Sequence, residues 1–266
     1  MRFGCCLNMV AESADGTGIE KIERLAGFGY DYVEMPLAEM MALPEKNFIN
    51  LANRIEQAGI RCEVCNNFFP KGMRLTGPSV KEEEILAYVE KAMIRAHRLG
   101  VQNVVFGSGG AKNVPEGFSL EEGYIQVVSL LRKVSPIARK NDVAIAIEPL
   151  RKAECNLINT FAEGCRLAKD VDMDNVKALV DFYHFSEEHE PVQDILDSGK
   201  DYLLHVHFAC DKGRVFPKTI DEDNYQPFID ALKAVGYHDR VSVEAYTTDF
   251  DKQAPIALEF LRKNFN

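Results

Sequence analysis

Residues 143–150, VAIAIEPL, form a short apolar run that ends on a carboxylate and then a proline. Apolar runs of about four to eight residues are typical of strands buried on both faces of a parallel sheet. A buried carboxylate such as that of Glu148 is costly unless it is paired or bound to a cation. Pro149 lacks an N–H and therefore fits a point where the ladder of sheet hydrogen bonds has ended. The stretch predicts a buried strand with a functional carboxylate at its carboxyl end.

Segments of this kind recur along the whole chain. We predict eight strands, near residues 2–8, 31–35, 60–65, 102–107, 143–148, 177–182, 203–208 and 240–245. Amphipathic patterns alternate with them and predict helices over residues 18–28, 45–58, 79–99, 121–140, 160–170, 190–197, 225–235 and 252–263. Strict alternation of strand and helix implies a parallel sheet with the helices outside it. Eight such units predict an α/β fold, a single (β/α)8 TIM barrel, with an open doubly wound sheet as the lesser alternative.

The length and continuity of the chain indicate one domain. Its 266 residues match the roughly 250 that such a barrel usually needs. No linker or low-complexity tract interrupts the alternation. We therefore expect one (β/α)8 barrel domain over residues 1–266.

Local signals predict where several helices begin and end. Ser79 is the expected N-cap of helix 79–99, which carries acidic residues in its first turn. Gly59, Gly100 and Gly236 lie just past helix ends and are expected C-terminal caps. The acidic run at 187–190, EEHE, predicts a solvated helix start.

Composition excludes several classes of protein. No apolar run approaches the ~18 residues of a membrane-spanning helix, and the N-terminus lacks a basic leader, so we expect no membrane partner and no signal peptide. Seven cysteines, an odd number, indicate a reduced cytoplasmic protein. Cys62 and Cys65 form a C-x-x-C, but strand parity predicts that they point to opposite faces. A net charge of −10 argues against a nucleic-acid partner.

Four consecutive predicted strands each end on a residue that can ligate a metal. Glu148, Asp181, His207 and Glu244 follow one another at intervals of 33, 26 and 37 residues, one strand–helix unit each. In such barrels the chemistry lies at the carboxyl ends of the strands. Parity directs Glu148 and Glu244 inward, on the same face as Ala146 and Ser242. One such carboxylate would be an ordinary loop or cap partner, but four residues in register favour a metal site.

The types of these side chains restrict the metal. Three carboxylates and one imidazole suit Mn²⁺, with Mg²⁺ or Co²⁺ as alternatives, and leave coordination positions open for substrate oxygens. The carboxylate at the end of VAIAIE is then explained by a cation beside it.

These residues lie in motifs that resemble a known family. The motifs are IEPL with Glu154 six residues after Glu148, Asn159-Thr160, DFYH at 181–184, HVHF at 205–208 followed by an arginine, and VEAY at 243–246. The set resembles the xylose isomerase-like TIM barrel family, and within it the D-tagatose 3-epimerase-type branch of sugar isomerases and epimerases. The resemblance covers essentially the whole chain. In two places the chain departs from it: the spacing between His207 and Arg214, and the segment 217–228, PKTIDEDNYQPF, which replaces a glycine-rich one.

The resemblance implies roles for single residues. It implies that Glu148, Asp181, His207 and Glu244 bind the metal, that Glu148 and Glu244 also form the acid/base pair, and that Glu154, His184 and Arg214 hold the oxygens of a small-molecule sugar substrate. It also implies a homo-oligomer, a dimer or tetramer.

The resulting hypothesis is a divalent-metal-dependent ketose epimerase or isomerase that removes a proton next to a carbonyl and passes through an enediolate. A hydroxypyruvate-type isomerase, an inosose-type dehydratase and a keto-sugar lyase are alternatives on the same metal site. A non-catalytic sugar-binding barrel is another. An endonuclease IV-like DNA repair enzyme is the distant alternative, because that enzyme needs a three-metal cluster and this chain has only six histidines.

Other residues near the strand ends receive simpler predictions. His205 is expected to be a packed histidine and Glu34 a structural hydrogen-bonding residue, with no ligands on the neighbouring strands. The sequence GSGG at 107–110 predicts a tight turn more than a phosphate site. Loop placement suggests that Cys6, Met9, Asn66 and Phe68 line the pocket.

Overall fold

The computed structural model describes residues 1–265 and contains a closed barrel of eight parallel strands. In chain order, β1 to β8 are Arg2–Cys6, Tyr32–Pro36, Arg61–Asn66, Asn103–Phe106, Ala144–Ile147, Val176–Asp181, Leu203–Phe208 and Arg240–Val243. Each strand pairs with its sequence neighbours, and β1 also pairs with β8, which closes the ring. The prediction of a single (β/α)8 TIM barrel is confirmed.

Helices surround the barrel between the strands. In chain order, α1 to α11 are Ile22–Phe28, Leu37–Ala42, Glu45–Gln57, Glu82–Leu99, Gly109–Lys112, Leu120–Lys140, Phe161–Val171, Phe182–Glu187, Val192–Tyr202, Tyr225–Ala234 and Phe250–Phe265. Short 3-10 helices occupy Leu7–Val10, Ile19–Lys21 and Ile220–Glu222. Within residues 1–265, no helix combines the length and apolarity that crossing a bilayer would require.

Alternation along the strands divides the core in two. A small cluster fills the barrel interior and consists of Tyr32, Val64, Val105, Ala146 and Leu179. The larger cluster lies between the sheet and the helices and includes Ile145 and Ile147. Ala146 thus points inward and its neighbours outward, as parity predicts.

Three short helices were not predicted, and all lie directly after strands at the carboxyl end of the barrel. They are α2 after β2, α5 after β4 and α8 after β6. Asp181 ends β6 and caps α8, because its carboxylate accepts a hydrogen bond from the backbone N–H of Tyr183 (3.0 Å). These helices build the mouth in which the predicted ligands lie.

The helix boundaries confirm some sequence signals and correct others. Gly59, Gly100 and Gly236 have left-handed φ values of 69°, 80° and 76° just past helix ends, as predicted. The prediction for Ser79 was wrong: α4 begins at Glu82 and its N-cap, Lys81, makes no side-chain cap. The run 187–190 does not start a helix either, since α8 ends there and Glu190 accepts a hydrogen bond from the backbone N–H of Phe161 (2.6 Å).

The predicted parity of Cys62 and Cys65 was also wrong. The register between β2 and β3 shifts at Val33/Glu34, so that one extra residue of β3 is accommodated. Both cysteines consequently pack in the outer core, and both are free. Burial, and next the hydrogen bond with the Cys62 thiol, raises the pKa of the Cys65 thiol well above its ordinary value.

Candidate active site

The four predicted ligands meet at the mouth of the barrel. Glu148 follows β5, Asp181 ends β6, His207 lies in β7 and Glu244 follows β8. Each offers a ligand atom, and these atoms all lie within 4.8 Å of one another. All four side chains are buried. Four separate strands therefore bring three carboxylates and one imidazole to a single point.

His207 lies at the centre of this group. Its Nδ1 is 2.9 Å from Oε1 of Glu148 and 3.1 Å from Oε2 of Glu244. Burial alone would lower the pKa of His207, but the carboxylates of Glu34 and Glu244 outweigh it and raise the pKa well above its ordinary value. The imidazole therefore acts as a counter-charge for the surrounding carboxylates.

The carboxylates themselves indicate a shortage of positive charge. Burial raises the pKa of Asp181 to about 7; the charge of Arg214 opposes this shift, and that of Glu244 adds to it. Burial and the neighbouring Glu244 also raise the pKa of Glu148. Burial acts in the same direction on Glu244, but His207 and Arg214 outweigh it and hold its pKa well below the ordinary value. Crowded buried carboxylates of this kind fit a divalent cation, whose charge would favour all of them in the ionised form.

Arg214 reaches into the group from the loop after β7. Its guanidinium is 3.2 Å from Oδ2 of Asp181, also bonds the carboxylate of Glu244, and lies 4.8 Å from the centre of the Tyr183 ring. Arg214 has a left-handed φ of 51°, and its carbonyl accepts the backbone N–H of Tyr246 (2.7 Å). The backbone thus fixes a tight turn that directs this side chain into the mouth.

His184 comes from α8 and lies against Asp181. Its Nδ1 accepts the backbone N–H of Arg151 (3.3 Å), and its Nε2 is 3.6 Å from Oδ2 of Asp181. Burial and the charge of Arg214 lower the pKa of His184 to about 3, so the ring is neutral and carries its proton on Nε2. That Nε2 is buried and has no hydrogen-bond partner within residues 1–265. It is a donor available to a bound molecule.

Glu154 lies at the rim of the mouth. Its carboxylate pairs with Nε of Arg151 at 2.7 Å, and the side chain is 35% exposed. Arg151 also bonds Glu187 (2.7 Å) and lies 5.0 Å from the centre of the Tyr183 ring. The structure therefore places Arg151 and Tyr183, which the sequence analysis did not single out, between Glu154 and Arg214.

Two further residues that sequence reasoning missed fix the position of Glu148. Lys112 of α5 is fully buried, and its Nζ donates to the backbone carbonyl of Glu148 (2.7 Å). A Cβ on Gly107 would lie 2.0 Å from Oε2 of Glu148, so only glycine leaves room for the carboxylate. The GSGG segment thus leaves space for the side chain of Glu148. It also joins the end of β4 to the start of α5, as the prediction of a tight turn requires.

The prediction for Glu34 is confirmed in one part and wrong in another. Glu34 does make structural hydrogen bonds, but its Oε1 lies 2.9 Å from Nε2 of His207, a predicted ligand on a distant strand. The prediction that neighbouring strands offer no ligands there was wrong, because Cys6 of the adjacent β1 offers a ligand atom within 4.8 Å of those of Glu34 and His207. His205 is packed against Glu34 at 3.0 Å, as predicted. Burial would raise the pKa of Glu34, but His207 and His205 outweigh it and lower the pKa to about 2.

The residues expected to line the pocket divide into two groups. Asn66 donates to Oε1 of Glu244 (3.3 Å), and Sγ of Cys6 lies 3.9 Å from Nε2 of His207. Phe68 is buried and stacks on Phe69, and Met9 packs against the core. Asn66 and Cys6 contact the site, whereas Phe68 and Met9 serve packing.

Comparison with known proteins supports the resemblance seen in the motifs. The profile of the xylose isomerase-like TIM barrel family matches residues 22–264. The chain belongs to this family. Its named relatives are epimerases and isomerases. The inosose isomerase of Bacillus licheniformis is 27% identical over 93% of this chain and 90% of its own. A probable ketose 3-epimerase of Synechocystis is 26% identical over 74% of this chain and 68% of its own.

Solved structures share the same fold. D-Psicose 3-epimerase from Clostridium cellulolyticum H10, crystallised with D-tagatose, has a TM-score of 0.86 and 21% identity over 100% of both chains. The IOLI protein with a bound zinc atom has a TM-score of 0.75 and 22% identity over 99% of this chain and 96% of that one.

Proposed function

We propose that this protein is a divalent-metal-dependent ketose epimerase or isomerase that moves a proton at the carbon beside a carbonyl. The observation that carries the proposal is the convergence of Glu148, Asp181, His207 and Glu244 within 4.8 Å. The names of the relatives in both comparisons support the same class of reaction.

The metal would be held by Glu148, Asp181, His207 and Glu244. Three oxygen ligands and one nitrogen ligand favour Mn²⁺, with Mg²⁺ or Co²⁺ as alternatives. A solved structure of the same fold contains a bound zinc atom, which supports a divalent ion in this protein as well. When bound, the ion would polarise the substrate carbonyl and make the neighbouring C–H acidic.

The residues of the chain then supply proton transfer. Glu148 and Glu244 both contact Nδ1 of His207, and they approach it from two different strands, β5 and β8. One glutamate takes the proton and the other returns one. Return to the opposite face of the same carbon inverts that centre, whereas return to the adjacent carbon moves the carbonyl. Such acid–base help contributes roughly 10²–10⁴-fold to the rate.

Polar groups around the ligands would orient the substrate. Among residues 1–265, Nε2 of His184 is a donor without a partner, and the guanidinium of Arg214 lies among the carboxylates. Glu154 at the rim would accept from a hydroxyl farther along the chain of the sugar. These three residues are proposed to hold the substrate's oxygens.

Keto-inositols are the second candidate substrates. The inosose isomerase of Bacillus licheniformis matches over 93% of this chain, a larger share than the probable ketose 3-epimerase. The hydroxypyruvate-type isomerase and the keto-sugar lyase use the same proton abstraction and are tested by the same assay.

We also propose one domain over residues 1–266 and a cytoplasmic location. The hydroxyl of Tyr30, just before β2, donates to the backbone carbonyl of Ala254 in α11 (2.7 Å). The ring centres of Phe3 in β1 and Phe265 in α11 are 6.4 Å apart. The last helix therefore packs on the first strands. Seven buried free cysteines suit a reducing compartment. A dimer or tetramer remains part of the proposal on the basis of the family.

The decisive experiment measures solvent deuterium entering the substrate. Protein loaded with Mn²⁺ is incubated in D₂O with a panel of ketoses, hydroxypyruvate and keto-inositols, and the products are examined by NMR after removal of the metal. We expect deuterium beside the carbonyl, and the carbon that inverts or gains the carbonyl distinguishes epimerisation from isomerisation. Glu148→Gln should abolish exchange. Glu63→Gln, which removes a buried carboxylate near the opposite end of the barrel, should retain it. No exchange with any compound despite bound metal would refute the proposal.

A further inference from the structure

Glu34 lies beneath the proposed metal ligands and has no place in the proton transfer described above. Its side chain is fully buried in the barrel interior, and Glu34 is the middle residue of β2. Its Oε1 lies 2.9 Å from Nε2 of His207, whereas Glu148 and Glu244 contact the other ring nitrogen, Nδ1. An ionised carboxylate in such a place is retained only if its surroundings hold it.

The two nitrogens of His207 face different partners. Nδ1 faces Glu148 and Glu244 at 2.9 and 3.1 Å, and Nε2 faces Glu34. A neutral imidazole ligates a metal through the nitrogen that lacks a proton, and the other nitrogen carries the proton. A carboxylate at Nε2 accepts that proton in a hydrogen bond, which leaves the lone pair on Nδ1. The arrangement therefore points the lone pair at the mouth.

Glu34 is itself held rigidly from its other oxygen. Oε2 accepts from the hydroxyl of Ser242 (2.6 Å) and lies 3.0 Å from Nε2 of His205. The hydroxyl of Ser242 in turn lies 2.7 Å from that of Tyr32. Strands β2, β7 and β8 thus hold the Glu34 carboxylate in place through four fully buried side chains, those of Tyr32, His205, His207 and Ser242.

We infer that Glu34 is a positioning residue of the metal site: it selects the tautomer of His207 that ligates through Nδ1 and fixes the plane of the ring. The inference rests on the metal requirement of the proposed function. Hydrogen-bond partners that orient ligating histidines typically contribute about 10–100-fold to metal affinity.

The first test measures Mn²⁺ affinity by calorimetry in Glu34→Gln and Glu34→Ala. We expect binding weaker by about 10–100-fold, with Glu34→Gln the milder change because its amide oxygen can still accept from Nε2. Glu63→Gln is the matched control, because Glu63 is also buried, on the adjacent strand β3, but bonds Arg2 and Arg240 instead. That control should bind Mn²⁺ like the parent. Folded Glu34 variants that bind within twofold of the parent would overturn the inference.

The second test needs no Glu34 variant and therefore does not depend on its folding. The parent protein, labelled with ¹⁵N-histidine and loaded with diamagnetic Zn²⁺, is examined by long-range ¹H–¹⁵N NMR, with His207→Gln used to assign the signals. We expect coordination at Nδ1 and a proton on Nε2, shifted downfield by its bond to a carboxylate. A proton on Nδ1, or coordination through Nε2, would overturn the inference. A parent that binds neither Mn²⁺ nor Zn²⁺ would refute the proposed function and this inference together.

Discussion

At the scale of single residues, the position of Glu148 depends on what its neighbours leave open. Gly107 carries no side chain where a Cβ would lie 2.0 Å from the Glu148 carboxylate. Lys112 holds the backbone carbonyl of the same residue from below. The carboxylate of Glu148 is therefore positioned by a glycine and a lysine of the segment between β4 and α6, not by its own strand alone.

This arrangement makes Gly107→Ala a test of ligand position. The added methyl group should displace the carboxylate of Glu148 and lower kcat/KM by about 10²-fold, as a displacement of roughly 1 Å does in other sites. Gly110→Ala is the control in the same segment, since its Cβ would meet Lys71 at an ordinary 3.5 Å. Steady-state kinetics on both variants checks the expectation. Equal activity in the two would show that Glu148 need not occupy this position.

Proton release on metal binding is the second expectation at this scale. The pKa of Asp181 is raised to about 7, and that of His207 is raised well above its ordinary value. Near pH 6 and without metal, Asp181 is therefore a neutral carboxylic acid, and His207 is an imidazolium with a proton on each nitrogen. Both must lose a proton to act as ligands, so affinity for Mn²⁺ should rise by about tenfold or more per pH unit between pH 5 and 7. Calorimetry in buffers of different ionisation enthalpy counts the released protons. Affinity that is flat over this range would contradict the protonation states.

The same pKa shift has a consequence for the metal-free protein. The folded state holds the Asp181 proton more tightly than the unfolded state, whose pKa is near 3.9. Its contribution to stability is therefore fully present below about pH 4 and is lost as the pH rises through about 7. A bound divalent ion, as proposed, would reverse this loss by supplying positive charge beside the ionised carboxylate.

At the scale of secondary-structure elements, the sequence predicted all eight strands and the long helices and missed the short helices. The strands and outer helices follow from apolar periodicity, which long segments display clearly. Helices α2, α5 and α8 are four to six residues long, too short for a 3.6-residue repeat to appear. They build part of the candidate site, because α5 contributes Lys112 and α8 contributes His184. The bulge in β3 escaped for a related reason, since a single added residue reverses side-chain parity without leaving a compositional signal.

Helix capping provides a direct comparison between sequence signal and structure. Ser119 caps α6, because its side chain accepts the backbone N–H of Glu122 (3.3 Å). Ser79 lies before the first turn of α4 and caps nothing there. Ser119→Ala should therefore lower the free energy of unfolding by about 1 kcal/mol, and Ser79→Ala should leave it unchanged. Urea denaturation of both variants measures the difference. Equal losses would mean that α4 begins at Ser79 after all.

At the scale of the whole molecule, closure of the barrel creates two buried charged clusters near opposite ends. Near the amino ends of the strands, Glu63 pairs with Arg2 and Arg240, which balances its charge within the protein. At the carboxyl ends, four buried carboxylates lie near three cationic side chains. The carboxylates are those of Glu34, Glu148, Asp181 and Glu244, and the cationic side chains are His207, Arg214 and Lys112. Alternation predicted which residues gather at the mouth. The bond from Glu34 to His207 was not predictable from strand order, because it spans 173 residues and crosses the barrel interior.

The imbalance predicts that the metal stabilises the whole barrel. A ligand that binds only the folded state at 100 times its Kd adds about 2.7 kcal/mol, which corresponds to a rise in Tm of roughly 5–10 °C for a chain of this size. Mn²⁺ should produce this shift in the parent, and chelation should reverse it. Glu244→Gln should lose the shift, because it removes one ligand. Glu63→Gln should unfold at a lower temperature with and without metal, because its two arginines lose their partner, yet it should keep the full shift. Thermal unfolding of the three proteins separates the effects of the two clusters. If Mn²⁺ did not change the Tm of the parent, the carboxylates at the mouth would already be satisfied by Arg214 and His207.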